Sequence, residues 1–223
     1  MTYFQLFLYL HIAAGTVALT TGTLSMMNRK GGKTHTVTGL IFFWAMVFVF
    51  ITSVYMSFVK SNWFLFVTGF FSFYMAASGY RSIYLKKVHL GQKPSWVDWM
   101  IGGGGVLFAA GMYYLSYRLL TTGNSFGIVP MVFGSICLVF AISDLRKFFK
   151  TGLAKTHWIN SHAIRMGGAY TATITAFLVV NIRFQPNWIV WVTPSVVMPP
   201  IISYTLRKYL HPQRKQVAGA ANQ

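Results

Sequence analysis

The chain has 223 residues, of which 55% are hydrophobic and only 9% charged, a balance that a soluble domain of this size would find hard to keep in water and that points to apolar surface hidden in lipid. The formal charge is +17, from 19 Lys and Arg against two acidic residues, yet the basic residues are scattered through short loops between apolar runs. A nucleic-acid-binding face would gather them into one stripe, so no nucleic-acid partner is expected.

A hydrocarbon core needs about 20 apolar residues per helical span, and the sequence supplies such runs repeatedly. The pattern predicts an all-α, polytopic transmembrane helix bundle with spans at roughly 4–27, 36–59, 62–84, 97–119, 125–144, 158–182 and 187–209. The first run has no basic residue ahead of it, unlike a cleaved leader, and is expected to remain as helix one. It carries His11 in its outer half, about 10 Å below its start at 1.5 Å per residue, where a polar contact between helices is expected. His35 opens helix two, and Lys60-Ser61-Asn62 separates helices two and three.

Asp98 opens helix four, which contains Gly102 to Gly105 and Gly111. No Lys-Ser/Thr pair follows these glycines, so a phosphate loop is a poor account; close helix packing in lipid is a better one. Helix five contains Pro130 and Cys137 and closes on Asp144. The lone cysteine leaves neither a disulfide framework nor a cysteine zinc cluster, so a metal would need His, Asp, Met or carbonyl ligands. Eleven methionines show no periodic clustering and read as flexible core filler. Helix six starts at His157 and carries His162 and Arg165, and Pro199-Pro200 is expected to kink helix seven. Residues 1–215 form a single seven-helix domain, and 216–223 read as a small, polar, disordered tail. No internal repeat of the kind found in inverted-repeat transporters is visible.

Arg29, Lys30 and Lys33 follow helix one; Lys86, Lys87 and Lys93 follow helix three; Arg146, Lys147, Lys150 and Lys155 follow helix five; and Arg207, Lys208, Arg214 and Lys215 end the chain. Lys60, Arg118 and Arg183 mark the opposite side. The positive-inside rule therefore puts the amino terminus outside and the carboxyl terminus in the cytoplasm. Trp63, Trp96, Trp99, Trp158, Trp188 and Trp191 lie near helix starts, where indole prefers the headgroup region; only Trp44 lies deep in a span. The chain has no Asn-x-Ser/Thr acceptor, which fits a bacterial inner membrane.

There is no glutamate, so paired-carboxylate hydrolysis has little material, and no nucleophile elbow is present. On the predicted topology His35, His157, His162, Asp98 and Asp144 all reach the cytoplasmic end. His157 and His162 are separated by about 140° around a regular helix, so they cannot both point straight at one ion: either His157 reaches back from a frayed first turn, or only one of them belongs to a site. His162 and Arg165 share a face at i, i+3, with Tyr170 beyond them. A charge at the depth of Arg165 is costly in lipid and should face the interior with a partner, for which Asp144 is at the right depth. The same group also reads as a buried network that locks helices five and six. His89 and His211 are expected to be solvated.

The motifs Leu10-His11-Ile12-Ala13-Ala14-Gly15, Lys30-Gly31-Gly32-Lys33-Thr34-His35-x-x-x-Gly39, Ser143-Asp144-Leu145-Arg146 and His157-Trp158-Ile159-Asn160-Ser161-His162-Ala163-Ile164-Arg165 resemble a bacterial family. Its members are predicted seven-helix membrane proteins that share a domain-of-unknown-function label. The likeness touches helices one, two, five and six. It implies a His in helix one, a His just before helix two, and a loop His followed by Arg about eight residues later, positions held here by His11, His35, His157 and Arg165. His162 departs from that pattern.

Three functions compete. In the first, His35 with His157 or His162 ligates a b-type haem, or a divalent metal such as zinc joined by Asp144, near the cytoplasmic face, with a redox role and a membrane redox partner. Asp144 and Arg165 would there orient ligands or pair with haem propionates. In the second, His162, Arg165 and Asp144 form the proton or anion relay of a transporter. In the third, three His and one Asp hold zinc in a membrane hydrolase. Histidine recurring at one end of a small bundle favours the first, and whether the protein is an enzyme stays open.

Overall fold

The computed structural model describes residues 2–150 and 152–220. Among them the chain forms seven α-helices and no strand: α1 Tyr3–Met27, α2 Lys33–Val59, α3 Trp63–Ser82, α4 Trp96–Thr121, α5 Ile128–Lys147, α6 His157–Asn181 and α7 Trp188–Ala220. Short 3-10 turns at Val88–Leu90 and Ser125–Gly127 sit in the connections before α4 and α5. Five segments are long and apolar enough to cross a membrane: Tyr3–Met27, Lys33–Val59, Ser125–Lys147, His157–Asn181 and Trp188–Leu210. The chain is thus a helical membrane protein. The glycines of α4 and the Tyr, Ser, Thr and Gly content of α3 dilute their hydropathy and keep these two helices out of that set.

Local chemistry sets several helix ends. Thr2 and Gln5 form a reciprocal capping box at the start of α1, and Asn62 caps α3 by accepting from the Leu65 amide at 3.1 Å. Such caps satisfy amides that have no partner in the first turn. Between α1 and α2 the chain reverses through Gly31 at φ 75°, a left-handed conformation open to glycine at little cost. α2 begins three residues earlier than the sequence implied, so His35 lies in its first turn. Pro199-Pro200 does not end α7, which passes through both residues; both prolines are exposed on the outer face of the helix. The residues expected to form a tail begin in the last turns of this helix, and 221–223 lie outside the described residues.

The helices pack chiefly as α1 on α2, α2 on α3, α3 on α6, α4 on α5 and α6 on α7. The core collects Phe42, Met46, Tyr74, Met75, Met112, Phe133, Cys137 and Ala169, while large side chains such as Leu107 and Val180 point outward, 77% and 81% exposed. An outward apolar shell is expected where lipid is the solvent.

Glycines bring backbones together at specific points. A Cβ on Gly105 would lie 2.7 Å from the Tyr74 ring and 3.0 Å from Ala141 Cβ, and one on Gly102 would lie 2.6 Å from Leu145. Gly103 and Gly111 meet nothing within 4 Å. The glycine run therefore splits: Gly102 and Gly105 serve packing inside the bundle, and its other members face outward or meet only loose contacts. At α3, a Cβ on Gly79 would come within 2.9 Å of Met166 and 3.0 Å of Arg165. That glycine lets α3 and α6 approach closely at the end of the bundle where the histidines lie.

Candidate functional site

The ionisable residues at this end fall into two groups. The first is a set of ion pairs. Arg165 in α6 reaches α5, where Nη2 is 2.8 Å from Asp144 Oδ1 and Nε is 3.2 Å from Oδ2. Its Nη2 also donates to the Phe140 carbonyl at 3.1 Å, and the guanidinium lies 3.8 Å from the centroid of the Phe140 ring. Lys147 donates to Asp144 at 2.8 Å and to Ser161 Oγ at 2.6 Å, and Tyr74 donates to Asp144 at 3.4 Å. Arg165 thus finds the partner expected of it, and Asp144 is shared by two cations.

The other acidic residue is equally committed. Arg81 grips Asp98 with two donors at 2.9 and 3.0 Å, and Asp98 accepts from the Ser95 amide and hydroxyl at 2.8 Å each. One carboxylate therefore closes the start of α4 and fastens it to the end of α3. Arg81 was not singled out by sequence reasoning.

His157 sits at the edge of this group. Its Nδ1 is 3.0 Å from the Ala154 carbonyl and its Nε2 is 2.9 Å from the Leu85 carbonyl. Both ring nitrogens face oxygens that only accept, so His157 presents no lone pair toward a metal and ties the start of α6 to the chain after α3. His89 lies beside it, with ring centroids 5.8 Å apart. His11 makes the inter-helix contact expected, with Nδ1 2.9 Å from Thr52 Oγ1 in α2. Thr52 donates its hydroxyl to the Phe48 carbonyl at 2.8 Å, so its oxygen accepts from the imidazole.

The second group is a cavity of about 630 Å³ bounded by α1, α2, α3, α6 and α7. His35 and His162 both line it, and their ring centroids are 6.4 Å apart with planes at 84°. Each ring is held by a carbonyl: His35 Nδ1 is 3.1 Å from the Ser25 carbonyl and 3.0 Å from Ser25 Oγ, and His162 Nδ1 is 3.0 Å from the Gly79 carbonyl. A carbonyl opposite Nδ1 places the proton there and leaves a lone pair on Nε2, as in the outer-shell bonds that orient metal-binding histidines. Neither Nε2 has a hydrogen bond within the protein, yet among the described residues no buried polar atom lacks a partner. Both therefore open onto the cavity.

Tyr170 also lines the cavity, its hydroxyl 2.6 Å from Thr23 Oγ1. Lys30 and Lys86 lie among its lining residues, and Arg165, Asp144 and His157 do not. His162 and Arg165 thus diverge in spite of their i, i+3 spacing, one toward α3 and the cavity, the other toward α5. Sequence reasoning missed the two lysines and the carbonyls of Ser25 and Gly79. The close spacing of Ser25 and His35 across a tight turn was a usable signal for one of these pairs.

Among the described residues no group of three or more His, Cys, Asp or Glu side chains converges on one point. Comparison with family models, curated proteins and solved structures returns no match.

Proposed function

We propose that this chain is a bacterial inner-membrane protein that binds a b-type haem between His35 and His162 and serves in one-electron transfer with a membrane redox partner. The observation that carries the reading is the histidine pair itself: two imidazoles on different helices, each turned by a carbonyl so that Nε2 faces the same cavity. If a haem iron were held here, His35 and His162 would be the residues to hold it, through the Nε2 that each leaves without a partner in the protein.

The ligand count favours haem over a bare metal. A structural zinc site takes four protein ligands and a catalytic one three, whereas a porphyrin leaves its iron only two axial positions to fill. His35 and His162 supply two. The cavity falls within the range of about 300–1,000 Å³ typical of ligand sites. Bound there, an iron porphyrin supplies reversible one-electron chemistry; the protein fixes the tautomer of each imidazole and surrounds the site with apolar side chains. Against the relay and hydrolase alternatives stand the ion pairs, which hold Arg165 and Asp144 together, and the two carbonyls that occupy His157.

The reading includes seven spans with the amino terminus outside. α3 and α4 have 20 and 26 residues, enough at 1.5 Å per residue to cross about 30 Å of hydrocarbon. Each is packed beside a helix of the apolar set and joined to it by a tight turn. The histidine cavity then lies at the cytoplasmic end.

Optical spectra of the purified protein, oxidised and reduced, with elemental analysis of the same sample, test the proposal. A Soret band with a redox-difference spectrum is expected, lost or converted to a five-coordinate form in His35→Ala and His162→Ala and retained in His157→Ala. A preparation with neither Soret band nor iron sinks it.

A further inference from the structure

The charge of the cavity says which kind of ligand it accepts. Its lining includes Lys30 and Lys86 and no acidic side chain. The whole chain has only two acidic residues, and both are held in ion pairs elsewhere, Asp98 with Arg81 and Asp144 with Arg165 and Lys147. No carboxylate side chain of this protein is left to neutralise the two lysines.

Both ammonium groups keep donors that the protein does not use. Lys30 Nζ donates to the Ser25 and Met26 carbonyls at 3.0 and 2.6 Å, which leaves one of its three donors. Ser25 also holds His35, so this lysine and this histidine are anchored on one residue. Lys86 Nζ lies 4.7 Å from the centroid of the Trp158 ring, a cation–π contact that holds the chain in place without consuming its hydrogen bonds. Away from the lysines the walls are apolar, with Phe42, Met166 and Ile202 among them. A positive charge beside apolar walls is favourable only with a counter-anion or water.

We propose that Lys30 and Lys86 form a cationic rim that selects an anionic amphiphile bearing two carboxylates, which meet the lysines while its apolar body lies against Phe42, Met166 and Ile202. Resting on the haem reading, this assigns the two porphyrin propionates to Lys30 and Lys86 and not to Arg165, which is spent on Asp144. Lys30 and Lys86 are specificity residues; ligation belongs to the histidines.

Binding of ferric haem, its dimethyl ester and metal-free protoporphyrin IX to the full-length, detergent-purified protein separates the two ideas. The wild type is expected to bind both diacids more tightly than the ester, and Lys30→Ala/Lys86→Ala to lose about tenfold or more for the diacids with no change for the ester. Lys30→Arg/Lys86→Arg, which keeps the charge, is expected to restore the preference and controls for folding. Equal affinity for diacid and ester in the wild type, equal weakening of both in the alanine variant, or no binding of any diacid overturns the rim. Lysine-dependent binding of metal-free porphyrin without a histidine-dependent iron spectrum would retain the rim and overturn the haem ligation.

Discussion

Asp144 accepts from Arg165, Lys147 and Tyr74, and the Arg165 side chain is only 4% exposed. Removing the carboxylate strands a buried guanidinium, and breaking such a pair from one side costs on the order of 3–5 kcal/mol. Asp144→Ala is therefore expected to lower the melting temperature in detergent sharply, and a melt unchanged from wild type would show that the network carries no stability. This pairing was legible because Arg165 is a charge deep in a span and Asp144 lies at its depth. The orientation of the histidines was only partly so. The angular separation of His157 and His162 left open whether both belong to one site, and which of them turns toward His35 depends on the Gly79 carbonyl, a backbone group that side-chain chemistry does not advertise. At the rim, burial lowers the ammonium pKa of Lys30 below the ordinary lysine value. The charge that attracts a carboxylate is thus lost, as pH rises, earlier than for a free lysine. Affinity for a porphyrin diacid is expected to fall on the alkaline side, and to fall less in Lys30→Gln; identical pH profiles for the two proteins would contradict this role for Lys30.

At the scale of the helices, the distance between α3 and α6 sets the site. Gly79 supplies the carbonyl that holds His162 and also the gap that admits Met166 and Arg165. A larger residue must push α6 away at the level where His162 crosses to its acceptor. Gly79→Val is expected to destabilise the protein by about 1–3 kcal/mol through overpacking and to weaken the six-coordinate haem spectrum. Gly103→Ala is the matched control: its added Cβ meets nothing within 4 Å, and helix propensity favours alanine by up to about 1 kcal/mol. If the two substitutions proved equivalent in melting and spectrum, close helix approach would not be the controlling feature. The sequence displays every glycine alike, and only the packing separates those that admit a neighbour from those that face outward. The same limit hid the salt bridge from Arg81 to Asp98, whose partners lie on different helices across an irregular connection.

For the whole molecule, hydrophobic runs and loop lengths were enough to read an all-helical membrane bundle, because backbone groups in lipid must be satisfied within each helix. Loop charges add a direction that packing does not contain, since a bundle has the same contacts whichever end faces the cytoplasm. The direction matters for the proposed function: were the amino terminus outside, the cavity, its two lysines and its two histidines would face the cytoplasm, and the proposed redox partner would have to meet them there. The native thiol is buried, at Cys137, so Cys137→Ser provides a background for single reporters. Thr122, after α4, and Lys93, before it, are both exposed and lie at opposite ends of one helix. In intact cells a membrane-impermeant maleimide is expected to label Thr122→Cys and to spare Lys93→Cys until the membrane is opened. The opposite pattern would place the cavity outside and reverse the expected side of electron delivery, leaving the proposal of histidine ligation untouched. Labelling of both sites in intact cells would show that α4 does not cross, and with it the seven-span arrangement would fall.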